Sequence, residues 1–318
     1  MDASASFGRA SSRAQDLAAL RARIQRGARR QQVFAALGVL CTGFAVLVLI
    51  AAFLDLLIDG APRLSAQFLT SFPSRRAEQA GILSAWVGSA LVMLVTMLAA
   101  VPVGIGAAIY LEEYARKNWV TDLIEINVTN LAGVPSIVYG LLALGLFVYQ
   151  LGLGESVLTA GLTLALLILP IVIVSSREAL RAVPIHIREA AYGVGASRWQ
   201  MVSDHLVPYS RGGMLTGVIL GMAEAIGQTA PIITIGALTF IAFLPPSPVG
   251  GEFPFVNLEW LWSEFTVLPI QMYNWVSRPD QAFQLNAAAA GVILLFMTLV
   301  MNGLAIYMRY QVRKKIKW

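Results

Sequence analysis

Few side chains in this 318-residue chain could carry covalent chemistry, and their spacing argues against it. Cys41 is the only cysteine and lies inside an apolar run, so no thiolate cluster or intrachain disulfide can form. His186 and His205 are the only histidines, and neither has neighbours at metal-ligand spacing. No His–Glu metal motif or nucleophile–base pair marks an intramembrane enzyme. A Gly-x-x-x-x-Gly-Lys-Ser/Thr phosphate loop is also missing, and none of the four lysines stands in a glycine-rich loop. Any ATP-driven activity therefore belongs to another chain.

Two polar constellations remain. The first is the segment Arg188–Pro208, between two apolar runs. Ser197 and Gln200 form a Ser-x-x-Gln capping box, which starts a short helix at Arg198. That helix is expected to stop near Leu206, because the residue before Pro208 is pushed out of helical geometry. Upstream, Ile185–Tyr192 reads as another helix, with Gly193 and Gly195 supplying the turn. A helix–turn–helix of this kind is a surface on which another protein can push.

The second constellation lies in an apolar run. Gly213, Gly217, Gly221 and Ala225 recur every four residues and make a face for close helix approach. Glu224 and Gln228 stand at i,i+4 and are expected to share a face. An ionised carboxylate at mid-span costs about 2.5–3.5 kcal/mol, enough to demand a partner, a wet path or a bound proton. Pro231 removes a backbone donor, and broken helices of this sort often line transport paths. The alternative is that Glu224 anchors the chain to another subunit.

The elements that must position these groups are membrane helices. Hydrophobic residues make up 57% of the chain and charged residues 13%, against about 25% charged in soluble domains. Six stretches approach the roughly 20 apolar residues that a spanning helix needs: 33–58, 82–109, 131–149, 157–174, 214–244 and 287–307. The first is too long for a cleavable signal and follows a basic arm, residues 1–32. With six spans, all but Arg63, Arg75, Arg76 and Arg278 of the 23 basic residues fall on the side of both termini, which the positive-inside rule makes cytoplasmic. The net charge of +5 is thus a topology signal and gives no support to nucleic-acid binding. Trp119–Asn130 has apolar residues at helical spacing and reads as an interfacial or re-entrant helix. The outer loop 245–283 holds Trp260, Trp262, Tyr273 and Trp275, suited to the outer leaflet or to an extracytoplasmic partner. A basic tail, 311–318, ends the chain.

The pattern Glu189-Ala190, Gly195-Ala196, Leu206-Val207-Pro208 resembles the loop by which ABC importer permeases engage their ATPase. The run Asn130-Leu-Ala-Gly-Val-Pro-Ser-Ile-Val-Tyr-Gly140 is similar to a signature of the PstA family, permease subunits of the bacterial phosphate-specific ABC importer. Ile109–Tyr114, Glu178–Pro184, Thr229–Pro231 and Leu268–Trp275 match as well, so the resemblance covers residues 80–310. It implies an all-α type I importer permease with six spans and a cytoplasmic coupling helix–turn–helix, in a bacterial inner membrane. It further implies a homologous PstC subunit, two PstB ATPases carrying ATP and Mg, and an external PstS phosphate-binding protein, with no cofactor on this chain. Glu189, Ala190, Gly193, Gly195, Ala196, Leu206 and Pro208 would be the coupling residues. Asn130, Ser136, Tyr139, Glu224, Gln228 and Thr229 would lie along the path.

The family has arginine and glutamate where this chain has Glu224 and Gln228, so its intramembrane charge pair does not carry over. A carboxylate repels an anion, and Glu224 is therefore expected to pair with a basic residue of the second permease subunit. Two rival functions stay open. One is a permease for another oxyanion, molybdate or phosphonate. The other is a proton-coupled carrier using Glu224, which would transport alone and without ATP.

Overall fold

A computed structural model describes residues 3–248 and 257–314. Part of the 245–283 loop and the end of the basic tail lie outside those residues. The described residues are helices and connecting turns, with no strand among them. Contacts divide the chain into Met1–Leu56 and Leu57–Trp318. The first unit is one helix, α1 (Ala3–Gly60), whose last residues belong to the second unit.

The second unit is built from α2 (Ala66–Thr70), α3 (Leu83–Ile109), α4 (Trp119–Leu131), α5 (Ser136–Ala143) and α6 (Val157–Arg181). It continues with α7 (Ile185–Gly193), α8 (Arg198–Gln200), α9 (Val207–Ile226), α10 (Ala230–Thr234), α11 (Leu268–Val276) and α12 (Gln281–Lys314). Its centre is the packing of α3, α6 and α9, and small residues set that geometry. A Cβ on Gly217 would run into the Ser175 side chain, one on Gly213 into Ala179, and one on Gly221 would meet Ile168 Cβ at 3.2 Å. The glycine row thus seats α9 on α6. On the other side of α6, a Cβ at Gly161 would collide with Val95 of α3.

Two apolar clusters extend this core to the ends of the bundle. At one end, Phe68, Ile82, Leu268, Trp275 and Phe283 join α2, α3, α11 and α12. Arg63 ties the same end together, donating to Asn286 Oδ1 at 2.6 Å and to the carbonyls of Ala77 and Ala80. At the opposite end, Ala108, Leu180, Ala191, Met201 and Leu206 join α3 and α6 to the α7–α8 connection. This opposite end also collects charge and is called the charged end below.

Four helices are long and apolar enough to cross a membrane, or five if the bent pair α4–α5 counts as one span. The expected count of six therefore needs correction in two places. The span 131–149 does not begin at Leu131, which closes α4. The chain turns 109° between α4 and α5, and the span starts after Pro135 at Ser136 and continues to Gln150 as a wider π-type turn. The fifth expected span, 214–244, is not one helix. α9 already starts at Val207, ends at Ile226, and Gly227–Thr229 separate it from the five residues of α10. Pro231 at the start of α10 supplies no N–H for continuing the α9 pattern.

The α9–α6 seam gives a direct test. Gly217→Val should destabilise the protein by about 1–3 kcal/mol, the usual cost of overpacking, seen as a lowered midpoint of thermal unfolding in detergent. Gly106→Ala, with open space around the added carbon, should not lower that midpoint.

Candidate functional site

The charged end is organised by the last turns of α3 and α6. The helix of α3 widens into a π turn at Tyr110–Tyr114, closed by Ala115 N–H donating to Tyr110 O at 2.8 Å. That turn presents Glu112 and Glu113 in succession. α6 places Arg177 and Arg181 one turn apart, facing the same place. Arg181 Nε contacts Glu112 Oε2 at 3.0 Å, and Arg177 Nη2 reaches Glu125 Oε1 of α4 at 2.8 Å. Arg181 Nη2 also reaches Glu125 at 3.3 Å, closing a four-membered network. Both guanidinium groups of α6 thus converge on the Glu125 carboxylate of α4.

A second pair ties the connector to the bundle. Arg188 of α7 meets Glu113 at 3.0 Å and donates to the carbonyls of Leu180 and Val183 at 3.0 Å each. The Arg188 and Glu113 side chains are only 15% and 9% exposed, so water has little access to either. The network fixes α4 and α7 to the ends of α3 and α6. In the sequence these arginines carry a topology signal and no sign of their partners. The signal that could have found the network was the pair of runs Ile109–Tyr114 and Glu178–Pro184 at the ends of successive spans.

Beyond Arg188 the helix–turn–helix forms as expected. α7 ends at Gly193, and Gly195 takes φ +84°, a conformation that only glycine adopts freely. Ser197 and Gln200 make both halves of the capping box, at 3.3 and 2.9 Å. Glu189, Ala190, Gly193 and Gly195 are exposed on this surface, next to Val194 at 85% and Trp199 at 68% exposure. Ala196 and Pro208 are half-buried. Leu206 is not on the surface: it is fully buried against Leu180, Ala191 and Met201 and anchors the connector.

The helix also fails to stop before Pro208. Val207 keeps helical backbone angles, and the chain is helical from Arg198 to Ile226. A π turn at Met201–Leu206, in which Val207 N–H bonds to Val202 O, widens the helix just ahead of the proline. The wider turn relieves the clash that a proline ring would make in a regular helix. The connector and α9 are therefore one rod.

The residues expected along a transport path are not brought together. Asn130 is exposed on α4, and Ser136 is half-buried at the start of α5. Tyr139 is buried, and its hydroxyl donates to Leu131 O at 2.8 Å, strapping the bend between α4 and α5. Next to it, a Cβ on Gly140 would collide with Pro231 and Thr234, so α10 packs directly on α5. Glu224 and Gln228 do not share a helical face, because the helix between them ends at Ile226. Glu224 is exposed, whereas Gln228 is half-buried and lines a small cavity with Ser89, Met93 and Leu164. Thr229 is half-buried at the break. Among the described residues no group of histidine, cysteine and carboxylate side chains could hold a metal.

Replacing Arg188 by Met should cost about 3 kcal/mol or more, since it strands a buried carboxylate. Glu113→Gln added to it should restore part of that loss in a double-mutant cycle read by thermal unfolding.

Residues 100–318 match the family described as binding-protein-dependent transport system inner membrane component. A probable ABC transporter permease protein, YqgI of Bacillus subtilis, is 29% identical over 282 residues, covering 87% of this chain and 94% of its own length. The phosphate transport system permease protein PstA of Yersinia pestis is 32% identical over 245 residues, 76% of each chain. Among solved structures, an inward-facing MetNI methionine ABC transporter aligns with a TM-score of 0.56 over 73% of this chain and 95% of that one. At 15% identity this likeness establishes the fold alone. The chain belongs to the binding-protein-dependent transport system inner membrane components, with a PstA permease among its relatives in that family.

Proposed function

We propose that this chain is one of two permease subunits of an ATP-driven phosphate importer, and that its charged end faces the cytoplasm. One observation carries the reading: an exposed helix–turn–helix joined without interruption to a helix that is seated on the spanning helix α6 and breaks at Gly227–Thr229. Such a rod converts a push on the connector into movement at the break. The similarity to a phosphate transport permease supplies the substrate class. The distribution of basic residues supports both termini being cytoplasmic.

The partners follow from the same reading. ATP and Mg would be held by two copies of a separate ATPase, PstB, one of them docked on Glu189, Ala190, Gly193, Gly195 and the exposed Val194 and Trp199. PstC would form the other half of the path, and PstS would deliver phosphate on the far side. Leu206 and Pro208 act behind the contact surface, holding the connector to the bundle and joining it to α9. No cofactor is required on this chain. Anion passage would fall to backbone and neutral polar groups near the α9–α10 break, Gln228 and Thr229 among them, with the external binding protein setting affinity.

ATP-dependent uptake of radiolabelled phosphate into vesicles holding this chain with PstC, PstB and PstS tests the proposal. Uptake should require ATP and fall at least tenfold in Gly195→Asp, because a side chain at that backbone angle distorts the connector. Uptake by this chain alone under a pH gradient would instead establish a secondary carrier, and uptake of molybdate or phosphonate in place of phosphate would reassign the substrate.

A further inference from the structure

We infer that Glu224 is the anionic half of an ion pair between subunits, and that the companion permease presents an arginine or lysine against it within the membrane. The inference rests on the reading of the chain as one of two permease subunits. Three observations carry it.

The first is orientation. Gly213, Gly217 and Gly221 press α9 onto α6, so the rotation of α9 about its axis is fixed. Glu224 lies off that seam and is exposed, in one stripe with Leu220 at 60% exposure. The second is isolation. Glu224 has no hydrogen bond or ion pair among the described residues. The nearest cation with a bond to α9, Arg309, is engaged eight residues earlier, donating to Thr216 at 2.9 Å. The third is depth. Glu224 follows Arg211 by thirteen residues, about 20 Å along a helix axis. A short carboxylate at that distance from the charged end does not reach the water there.

α9 packs along the spanning helix α6, and an exposed carboxylate beside apolar side chains at that depth is stable only with a counter-charge or in water. A second copy of this chain paired about a two-fold axis at Glu224 does not supply the counter-charge, because that pairing sets carboxylate against carboxylate. A non-identical subunit with a basic side chain does. Glu224 then also selects the heteromer over the homomer, since the like-charged pairing is penalised.

The test uses the assembled complex with both permease subunits and the ATPase, purified in detergent through a tag on this chain. Glu224→Arg should reduce the co-purified companion at least tenfold, while Glu224→Gln should reduce it less. A folding defect is read separately from the thermal midpoint of this chain expressed alone, which Glu224→Gln should leave unchanged. Selection for restored assembly of Glu224→Arg should return basic-to-acidic changes in a membrane helix of the companion. Wild-type recovery of the companion with Glu224→Arg, or suppressors confined to this chain, would overturn the inference. Intact assembly of the wild type without phosphate uptake would count against the phosphate reading and leave the ion pair standing.

Discussion

The close approach of α9 to α6 is the constraint on which the rest of the architecture depends. In a bilayer the solvent gives helices no hydrophobic reason to associate, so contact has to be gained by packing. Glycines at 213, 217 and 221 allow backbone to meet the side chains of Ala179, Ser175 and Ile168. That seam fixes three things together: the rotation of α9, the direction in which Glu224 faces, and the line along which the connector meets the bundle. α6 is also held to α3 through Gly161, so the three helices form a single frame.

Around this frame, charge rather than apolar packing fixes the parts that stand outside the spans. Glu112, Glu125, Arg177 and Arg181 bind α4 to the frame, and Glu113 with Arg188 binds α7. Buried ion pairs add little net stability relative to a well-packed apolar site, but losing one partner is expensive. Their consequence here is geometric specificity. The connector is held at Arg188 and Leu206, is free on its Gly193–Trp199 surface, and passes its position to α9 through the π turn ahead of Pro208.

Much of this was legible in the sequence because it depends on local rules. The capping box at Ser197 and Gln200, the turn at Gly195 and the small-residue face of α9 each need only a residue type at a fixed spacing. The readings that failed were those in which a local rule met a competing one. Proline was expected to end the helix before 208, but a π turn absorbed it. An i,i+4 relation was assumed for Glu224 and Gln228, although Gly227 ends the helix between them. A contact that no local rule shows is the one by which the Tyr139 hydroxyl donates to the Leu131 carbonyl across the 109° bend. The ion network was invisible for a different reason: its ends, Glu112 and Arg181, are 69 residues apart, and only the fold brings them together.

The central claim is that helix 198–226 moves as one rod and that motion is released at Gly227–Thr229. Spin-label distances in the assembled complex test it most directly, with Cys41 replaced and pairs of labels at exposed positions His205 with Leu220 and His205 with Ile233. Between nucleotide-free and ATP-bound states, the first distance should stay constant and the second should change. A change in the first pair, or no change in the second, would contradict the account.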